Sequence, residues 1–371
     1  MSYNTIKNVL PMFCFKGRYQ SVRELTSGNV NNTYLLTYQD GDLRRQYILQ
    51  HVNTYVFKNP HEVMSNIAAV TEHVRDSYQR CNESAERRVL ELIKTCQGTN
   101  LFEDEDGDFW RAYSYIDEAD ALDMVESPAQ MEEVGRGFGV FQRMLYDFPA
   151  HQLYQSIPNF HNTPKRFYAF VRSVDEDKAN RVQFLEEEIE FMFDRRRMMG
   201  EITKLLDANM LPLRVTHNDT KSNNVLLDRA SGKAICVIDL DTVMPGSSLY
   251  DYGDAIRFGA STAAEDEPDT SKIALDMDKT KAFTRGFIEE TNGFLTHEEL
   301  IRLPLGIKVI TCELAMRFLT DYIDGDLYFK VNSPDHNLTR ARAQMALLRD
   351  VEAREGDLLA MCQRYISRCS K

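Results

Sequence analysis

The rhythm of hydrophobic and polar positions changes once along the chain, near residue 127. Before that point the apolar positions come in short alternating runs. Val22–Leu25 and Thr33–Tyr38 predict strands, Asp40-Gly41-Asp42 a turn and Gln46–Val52 a third strand, which together make a meander. Pro60 opens a helix reaching about Tyr78, since proline is tolerated in a first helical turn. A strand over Val89–Thr95, an acidic turn over Asp104–Asp108 and a strand over Phe109–Ile116 follow. Beyond Ser127-Pro128 the period becomes helical: Met131, Val134, Phe138, Phe141 and Leu145 share one face. Further helices are expected over 186–209, 249–258, 278–292, 297–321 and 336–366. The pattern is that of an α+β chain, with a small antiparallel sheet first and a larger, mainly helical part after it.

Composition narrows the function classes. The chain has 371 residues and 43% hydrophobic content, enough for a large core. Its 57 acidic residues outnumber 44 basic ones, for a net charge of −13. Such a surface repels a phosphate backbone, and the densest basic cluster, Arg195-Arg196-Arg197, follows the acidic run Glu186–Glu190 on one expected helix. Nucleic acid is therefore not an expected partner. Seven cysteines without paired spacings fit reduced thiols in a cytoplasmic protein better than a disulfide framework or a zinc site. No run approaches the roughly 18 to 20 apolar residues of a membrane span, so no membrane partner is expected. Oligomeric state leaves no trace in the sequence.

Some motifs are decoys. Gly135-Arg-Gly137-Phe-Gly139 resembles a dinucleotide loop, but helical periodicity runs through it and no strand precedes it; helix packing through small residues is the expected role. There is no G-x-x-x-x-G-K-[ST] phosphate loop, and neither His61-Glu62 nor His297-Glu298 is followed by the second histidine of a zinc protease.

The informative segment is 213–241. An apolar stretch ends in His217-Asn218-Asp219-Thr220-Lys221-Ser222-Asn223-Asn224, resumes as a strand, turns at Asp228–Gly232 and returns through Ala234–Leu240 to Asp239 and Asp241. A hairpin of this kind brings Asp219, Asn224 and Asp239 together. Phosphoryl transfer needs such groups: a carboxylate to orient a hydroxyl and take its proton, hard oxygen ligands for Mg²⁺, and a cation near the γ-phosphate. Asp219, the pair Asn224 and Asp239, and Lys221 suit those tasks in that order. The five-residue step from Asp219 to Asn224 matches the H-R-D-x-x-x-x-N loop of protein kinases, and Asp239 sits after a hairpin as the D-F-G aspartate does. The bland alternative is a polar loop with an Asx-turn, and it must place four such groups at kinase spacing by accident.

The H-x-D-x-x-x-x-N pattern resembles the aminoglycoside phosphotransferase and choline kinase group. Longer blocks resemble the bacterial N-acetylhexosamine 1-kinases within it: His217–Leu226, Ile238–Gly246, Tyr252–Ser261 and Met316–Asp326, with shorter matches at Tyr47–Gln50 and Pro334–Leu338. The resemblance runs over nearly the whole chain. It implies a protein-kinase-like bilobal fold, with a nucleotide-binding lobe and hinge over residues 1–117 and a helical lobe with the catalytic loop over 118–371. It implies ATP and Mg²⁺ as cofactors and transfer of the γ-phosphate to the anomeric hydroxyl of an N-acetylhexosamine. In its terms Asp219 is the base, and Asn224 and Asp239 hold metal.

The phosphate-covering hairpin matches Ser27–Thr33, which puts Gly28, Asn29, Asn31, Asn32 and Thr33 at the nucleotide. Gln50 stands where most kinases carry a third-strand lysine. Lys58 and Lys94 are the candidates for steadying the α- and β-phosphates in its place. The adenine edge is expected against backbone of Tyr113–Asp117, including Tyr115 and Asp117. Asp254, Arg317 and Tyr328, beside Asp219, are the expected sugar contacts; Arg317 has an ion pair with Asp321 or Asp254 as its structural alternative, and Arg257 reads as structural. Two other readings remain: a kinase of a different small metabolite (another monosaccharide, homoserine or choline), or a catalytically inert nucleotide-binding module, to which the absent lysine lends its one support.

Overall fold

The computed structural model describes residues 3–25 and 30–369. It is a mixed α+β structure with an antiparallel sheet at the N-terminal end and helices over most of the remainder. After helix α1 (Tyr3–Val9), strands β1 (Arg18–Leu25), β2 (Asn32–Asp40) and β3 (Leu43–His51) form the expected meander. Gly41, at φ 60°, closes the tight β2–β3 turn that a residue with a Cβ adopts only at a cost. Helix α2 (Pro60–Arg80) starts at the Asn59 cap, which accepts the Glu62 N–H, and buries Val63, Ile67, Val70 and Val74. Strands β4 (Leu92–Ile93), β5 (Phe102–Glu103) and β6 (Phe109–Ser114) complete the sheet, in the order β1-β2-β3-β6-β4 with β5 beside β6. The strand expected over Val89–Thr95 shrinks to two residues, because the Thr95 N–H and Cys96 N–H bond to Thr99 and Met12 instead of a neighbouring strand.

Strand β7 (Ala119–Ala121) leads into helix α3 (Pro128–Met144), capped by Ser127. Met131, Val134, Phe138, Phe141 and Leu145 are all buried, as their spacing predicts. The glycine decoy sits in α3 and packs it against helix α9 (Met277–Thr291): a Cβ on Gly135 would collide with the Phe283 backbone. Helix α4 (Thr163–Glu176) escaped the periodicity reading, although its Asn162 cap and Pro164 are start signals.

Three helices expected as continuous are broken. Residues 186–207 form α5 (Glu186–Asp194), α6 (Arg196–Met199) and α7 (Glu201–Asp207). The stretch from 297 splits into α10 (His297–Ile301) and α11 (Leu303–Asp324), because Pro304 has no N–H to give back to the preceding turn. The last splits at Arg354 into α12 (His336–Ala353) and α13 (Glu355–Cys369), with the poor helix former Gly356 in the first turn of the second. No helix among the described residues is long and apolar enough to cross a membrane.

The segment that matters most lies between α7 and α9. Strand β8 (Arg214–Thr216) pairs with β11 (Met244–Gly246), and the hairpin of β9 (Val225–Asp228) and β10 (Ala234–Val237) stacks beside β7. Helix α8 (Ser248–Gly259) runs beneath the loop that joins β8 to β9, with eleven of its twelve residues buried. It approaches α11 at glycines: a Cβ on Gly253 would meet the Gly306 backbone, and one on Gly306 would meet the Leu249 carbonyl. Gly306→Ala is therefore expected to destabilise the protein by about 1–3 kcal/mol, whereas Gly356→Ala, with nothing within 4 Å of the added methyl, should be neutral or stabilising by up to about 1 kcal/mol. Urea unfolding of the two variants checks this; equal midpoints would contradict the packing account.

Candidate active site

A buried carboxylate organises the loop between β8 and β9. Asp251 of α8 accepts the His217 N–H (2.9 Å), the Asn218 N–H (2.8 Å) and the Gln142 side-chain N–H (2.8 Å). These bonds hold Asn218 at φ 64°, a left-handed conformation that asparagine tolerates better than most side chains. The Asn218 side chain is spent on the Thr216 and Thr242 carbonyls. His217, fully buried, accepts the Asp219 N–H at Nδ1 (3.3 Å), so Nε2 carries the proton and donates to the Ile238 carbonyl (2.9 Å). The histidine thus ties the Asp219 loop to the Asp239 loop.

The turn directs Asp219 into a cavity of about 400 Å³ between sheet and helices. Its carboxylate is partly exposed and lies 3.1 Å from Lys221 Nζ. The Asp219 carboxylate, with smaller help from Asp254, raises the Lys221 pKa, so the ammonium stays charged. Asn224 donates Nδ2 to the Asp219 carbonyl (2.8 Å), which leaves Oδ1 as its free atom. The Ile238 N–H bonds the Asn224 carbonyl (2.9 Å) and keeps Asn224 next to Asp239. Asp239, itself left-handed at φ 60°, opens its carboxylate into the cavity and takes no hydrogen bond from the described residues. Although its side chain is open to the cavity, desolvation by the surrounding protein, then the nearby Asp241 and Asp219 carboxylates, raise its pKa despite Arg111 and His217. This is a site short of positive charge. Two adjacent free oxygens, one carboxylate and one amide, suit a hard cation that keeps waters and phosphate oxygens as its other ligands. Among the described residues no group of three or more His, Cys, Asp or Glu side chains could hold a metal by itself.

The roof of the cavity is the sheet. Asn31, Thr33 and Gln50 face it. Asn31 bonds Asp241 (2.6 Å) and the Asn53 N–H (2.9 Å), and Gln50 donates to Thr33 Oγ1 (3.0 Å). Asn32, expected with them, is exposed on the other side of the strand beside His51, because successive residues of a strand face opposite ways. Gly28 and Asn29 lie outside the described residues. Where β6 ends, Ser114, Tyr115 and Ile116 border the cavity. Asp117 does not, and its carbonyl turns outward to the Arg87 guanidinium (2.8 Å).

Neither lysine expected at the phosphates is present in the cavity. Lys58 is exposed over the Tyr55 ring and Lys94 is exposed near the N-terminal segment. Arg111 is there instead. It is 1% exposed, ion-paired to Asp241 and hydrogen-bonded through Nε to Gln50 (2.9 Å). Only the structure revealed it, since the alignment of β3 with β6 places it.

The expected sugar contacts part company. Asp254 is buried and spends its carboxylate on the Thr220 N–H (3.0 Å) and on Arg257 (2.8 Å), so it supports the loop and is absent from the cavity lining. Arg257 also pairs with Glu265, in keeping with a structural part. Arg317 pairs with neither Asp321 nor Asp254. Asp321 is occupied by the Leu327, Tyr328 and Phe329 N–H groups. The Arg317 guanidinium lies 5.5 Å from the Phe160 ring, 5.8 Å from Tyr328 and 5.5 Å from Phe329. Beside it, buried Glu313 binds His161 (2.9 Å), Thr163 (2.6 Å) and Arg166 (3.4 Å). Burial, then the neighbouring Arg317 charge, lowers the Arg166 pKa to about 10. His161 reaches the Asn218 carbonyl (3.4 Å), so this cluster adjoins the Asp219 loop. Of its members the sequence reading named Arg317 and Tyr328 and missed Phe160, His161, Arg166, Glu313 and Phe329; Glu313, a charge inside the otherwise apolar α11, was a signal for the rest.

A sheet roofing a cavity whose floor carries Asp219, Asn224 and Asp239 is the architecture of the protein-kinase-like fold. The chain belongs to the phosphotransferase enzyme family, whose model matches residues 21–283. The structure resembles a spectinomycin phosphotransferase in complex with ADP and spectinomycin, at TM-score 0.59 and 12% identity over 96% of this chain and 99% of that one. A microcompartment-associated aminopropanol kinase matches at TM-score 0.60 and 13% identity, over 96% and 99%. A choline/ethanolamine kinase family protein from Mesorhizobium loti matches at 0.53 and 14%, over 98% of each chain.

The loop account is tested at Asp251. Asp251→Ala strands the His217 and Asn218 N–H groups in a buried site and should cost about 3 kcal/mol or more in urea unfolding. A loss below about 1 kcal/mol would contradict the anchoring role.

Proposed function

We propose that the protein is a small-molecule kinase that moves the γ-phosphate of ATP onto the anomeric hydroxyl of an N-acetylhexosamine. The observation that carries the transfer chemistry is the convergence of Asp219, Asn224 and Asp239 on one cavity bordered by the hinge. In this reading the adenine sits against Ser114–Ile116, and the phosphates lie under β2 and β3. Asp219 orients the acceptor hydroxyl and takes its proton. The acceptor oxygen forms a bond to the γ-phosphorus as the bond from that phosphorus to the β,γ-bridging oxygen breaks, releasing ADP. Lys221, beside Asp219, offsets charge on the transferring group. Asn224 Oδ1 and Asp239 would hold Mg²⁺, which when bound draws charge from the phosphate oxygens.

The acceptor side supports a sugar over a quaternary amine. The groups beside the Asp219 loop include two guanidiniums, Arg166 and Arg317, against the single carboxylate of Glu313. A choline cation would be repelled there, whereas hydroxyl and amide oxygens would be met by donors. Phe160, Tyr328 and Phe329 supply the apolar faces that sugar rings pack against. The sequence blocks that resemble the N-acetylhexosamine 1-kinases include much of α8, which supports the loop, and the C-terminal end of α11, which carries Arg317.

ADP release from ATP and Mg²⁺ tests the reading against N-acetylglucosamine, N-acetylgalactosamine, N-acetylmannosamine, glucose, galactose, choline and homoserine. Turnover with N-acetylhexosamines, with loss of reducing-end reactivity in the product, is the expected result. Turnover with choline or homoserine alone would discard the sugar, and nucleotide binding without any turnover would favour an inert module.

A further inference from the structure

In most kinases a lysine on the third strand steadies the nucleotide's α- and β-phosphates; here that strand offers Gln50. Three side chains line up across the sheet at this level. Thr33 of β2 is paired in register with Gln50 of β3, and Gln50 with Arg111 of β6. Their side chains form a chain of hydrogen bonds, Arg111 to Gln50 (2.9 Å) and Gln50 to Thr33 (3.0 Å), and all three line the cavity. The far end of this ladder is the ion pair of Arg111 with Asp241, two residues after Asp239. Asp241 in turn accepts from Asn31 of the hairpin above (2.6 Å). Among the described residues lining the cavity only Arg111 and Lys221 are cationic, and Lys221 is engaged with Asp219. An arginine buried to 1% exposure is held in one place, so its charge needs no reorganisation when an anion arrives.

We propose that Arg111, presented from β6 and held by Asp241 and Gln50, is the cation that steadies the nucleotide's α- and β-phosphates in place of the absent third-strand lysine. The proposal rests on the reading of this cavity as a nucleotide site. In it Gln50 serves as a spacer that fixes the guanidinium beneath the sheet, and Asp241 couples that charge to the phosphate-covering hairpin through Asn31. The same guanidinium keeps the carboxylates of the Asp239–Asp241 loop from repelling the polyphosphate.

Calorimetric titration of adenosine and of ADP into the wild-type protein, Arg111→Gln and Arg111→Lys separates charge from structure. Arg111→Gln should bind adenosine as the wild type does and ADP at least ~10-fold more weakly, and Arg111→Lys should recover most of the ADP affinity. Because Arg111→Gln leaves Asp241 buried without its partner, the paired variant Arg111→Gln with Asp241→Asn provides a fold free of that lone charge. It should show the same selective loss. Parallel weakening of adenosine and ADP, or unchanged ADP affinity in the paired variant, would overturn the assignment. Failure of the wild type to bind either ligand would instead remove the nucleotide reading, and this proposal with it.

Discussion

Everything at the cavity floor depends on one buried carboxylate. Asp251 takes the backbone N–H groups of His217 and Asn218, and only with both bound does the chain turn through the left-handed conformation that directs Asp219 into the open. Such a loop is unfavourable by itself: a strained residue, a buried histidine and two buried N–H groups all need compensation. The compensation comes from α8, and α8 is held close by glycine contacts with α11. The histidine then carries the constraint across to the Ile238 carbonyl, so the strained Asp239 is set by the same support. Two left-handed acidic-loop residues, one from each strand end, are fixed relative to each other by one imidazole.

The electrostatics follow from that geometry. Asp219, Asp239 and Asp241 gather in a small volume, with Arg111 and Lys221 as the protein's counter-charges. An arrangement of this kind leaves the carboxylate of Asp239 without a partner among the described residues, which is unfavourable for folding and favourable for a site that receives a cation together with an anionic ligand. The cluster next to the Asp219 loop has the opposite balance, with two guanidiniums around one buried glutamate and aromatic rings beside them.

What could be read from the sequence was what lies close along the chain. The H-x-D-x-x-x-x-N spacing and the following hairpin are local, so Asp219, Asn224 and Asp239 could be expected at one place before any coordinates. The meander and α3 were legible because their periods are strong and their ends carry turn or cap residues. What depends on register or long-range packing was not legible. Arg111 faces Gln50 only through the alignment of β3 with β6, so the search for a cation stopped at Lys58 and Lys94. Asn32 was placed at the cavity because strand alternation at the start of β2 could not be phased, and Asp254 because a carboxylate next to a loop looks the same whether it binds a ligand or the loop. Of the aromatic and arginine cluster around Glu313 only Arg317 and Tyr328 were legible; the rest escaped because α4 was not identified and the members are spread from Phe160 to Phe329.

The central claim is that Asp219 acts on the acceptor proton while the rest of the cavity binds nucleotide without it. The most direct measurement is a side-by-side determination of kcat and of ADP affinity for the wild type and Asp219→Asn, with N-acetylglucosamine as acceptor. The account predicts a fall in kcat of about 100-fold or more with ADP affinity within about threefold of the wild type. A variant that keeps its kcat would contradict the assignment of Asp219 as the base, whatever the identity of the acceptor.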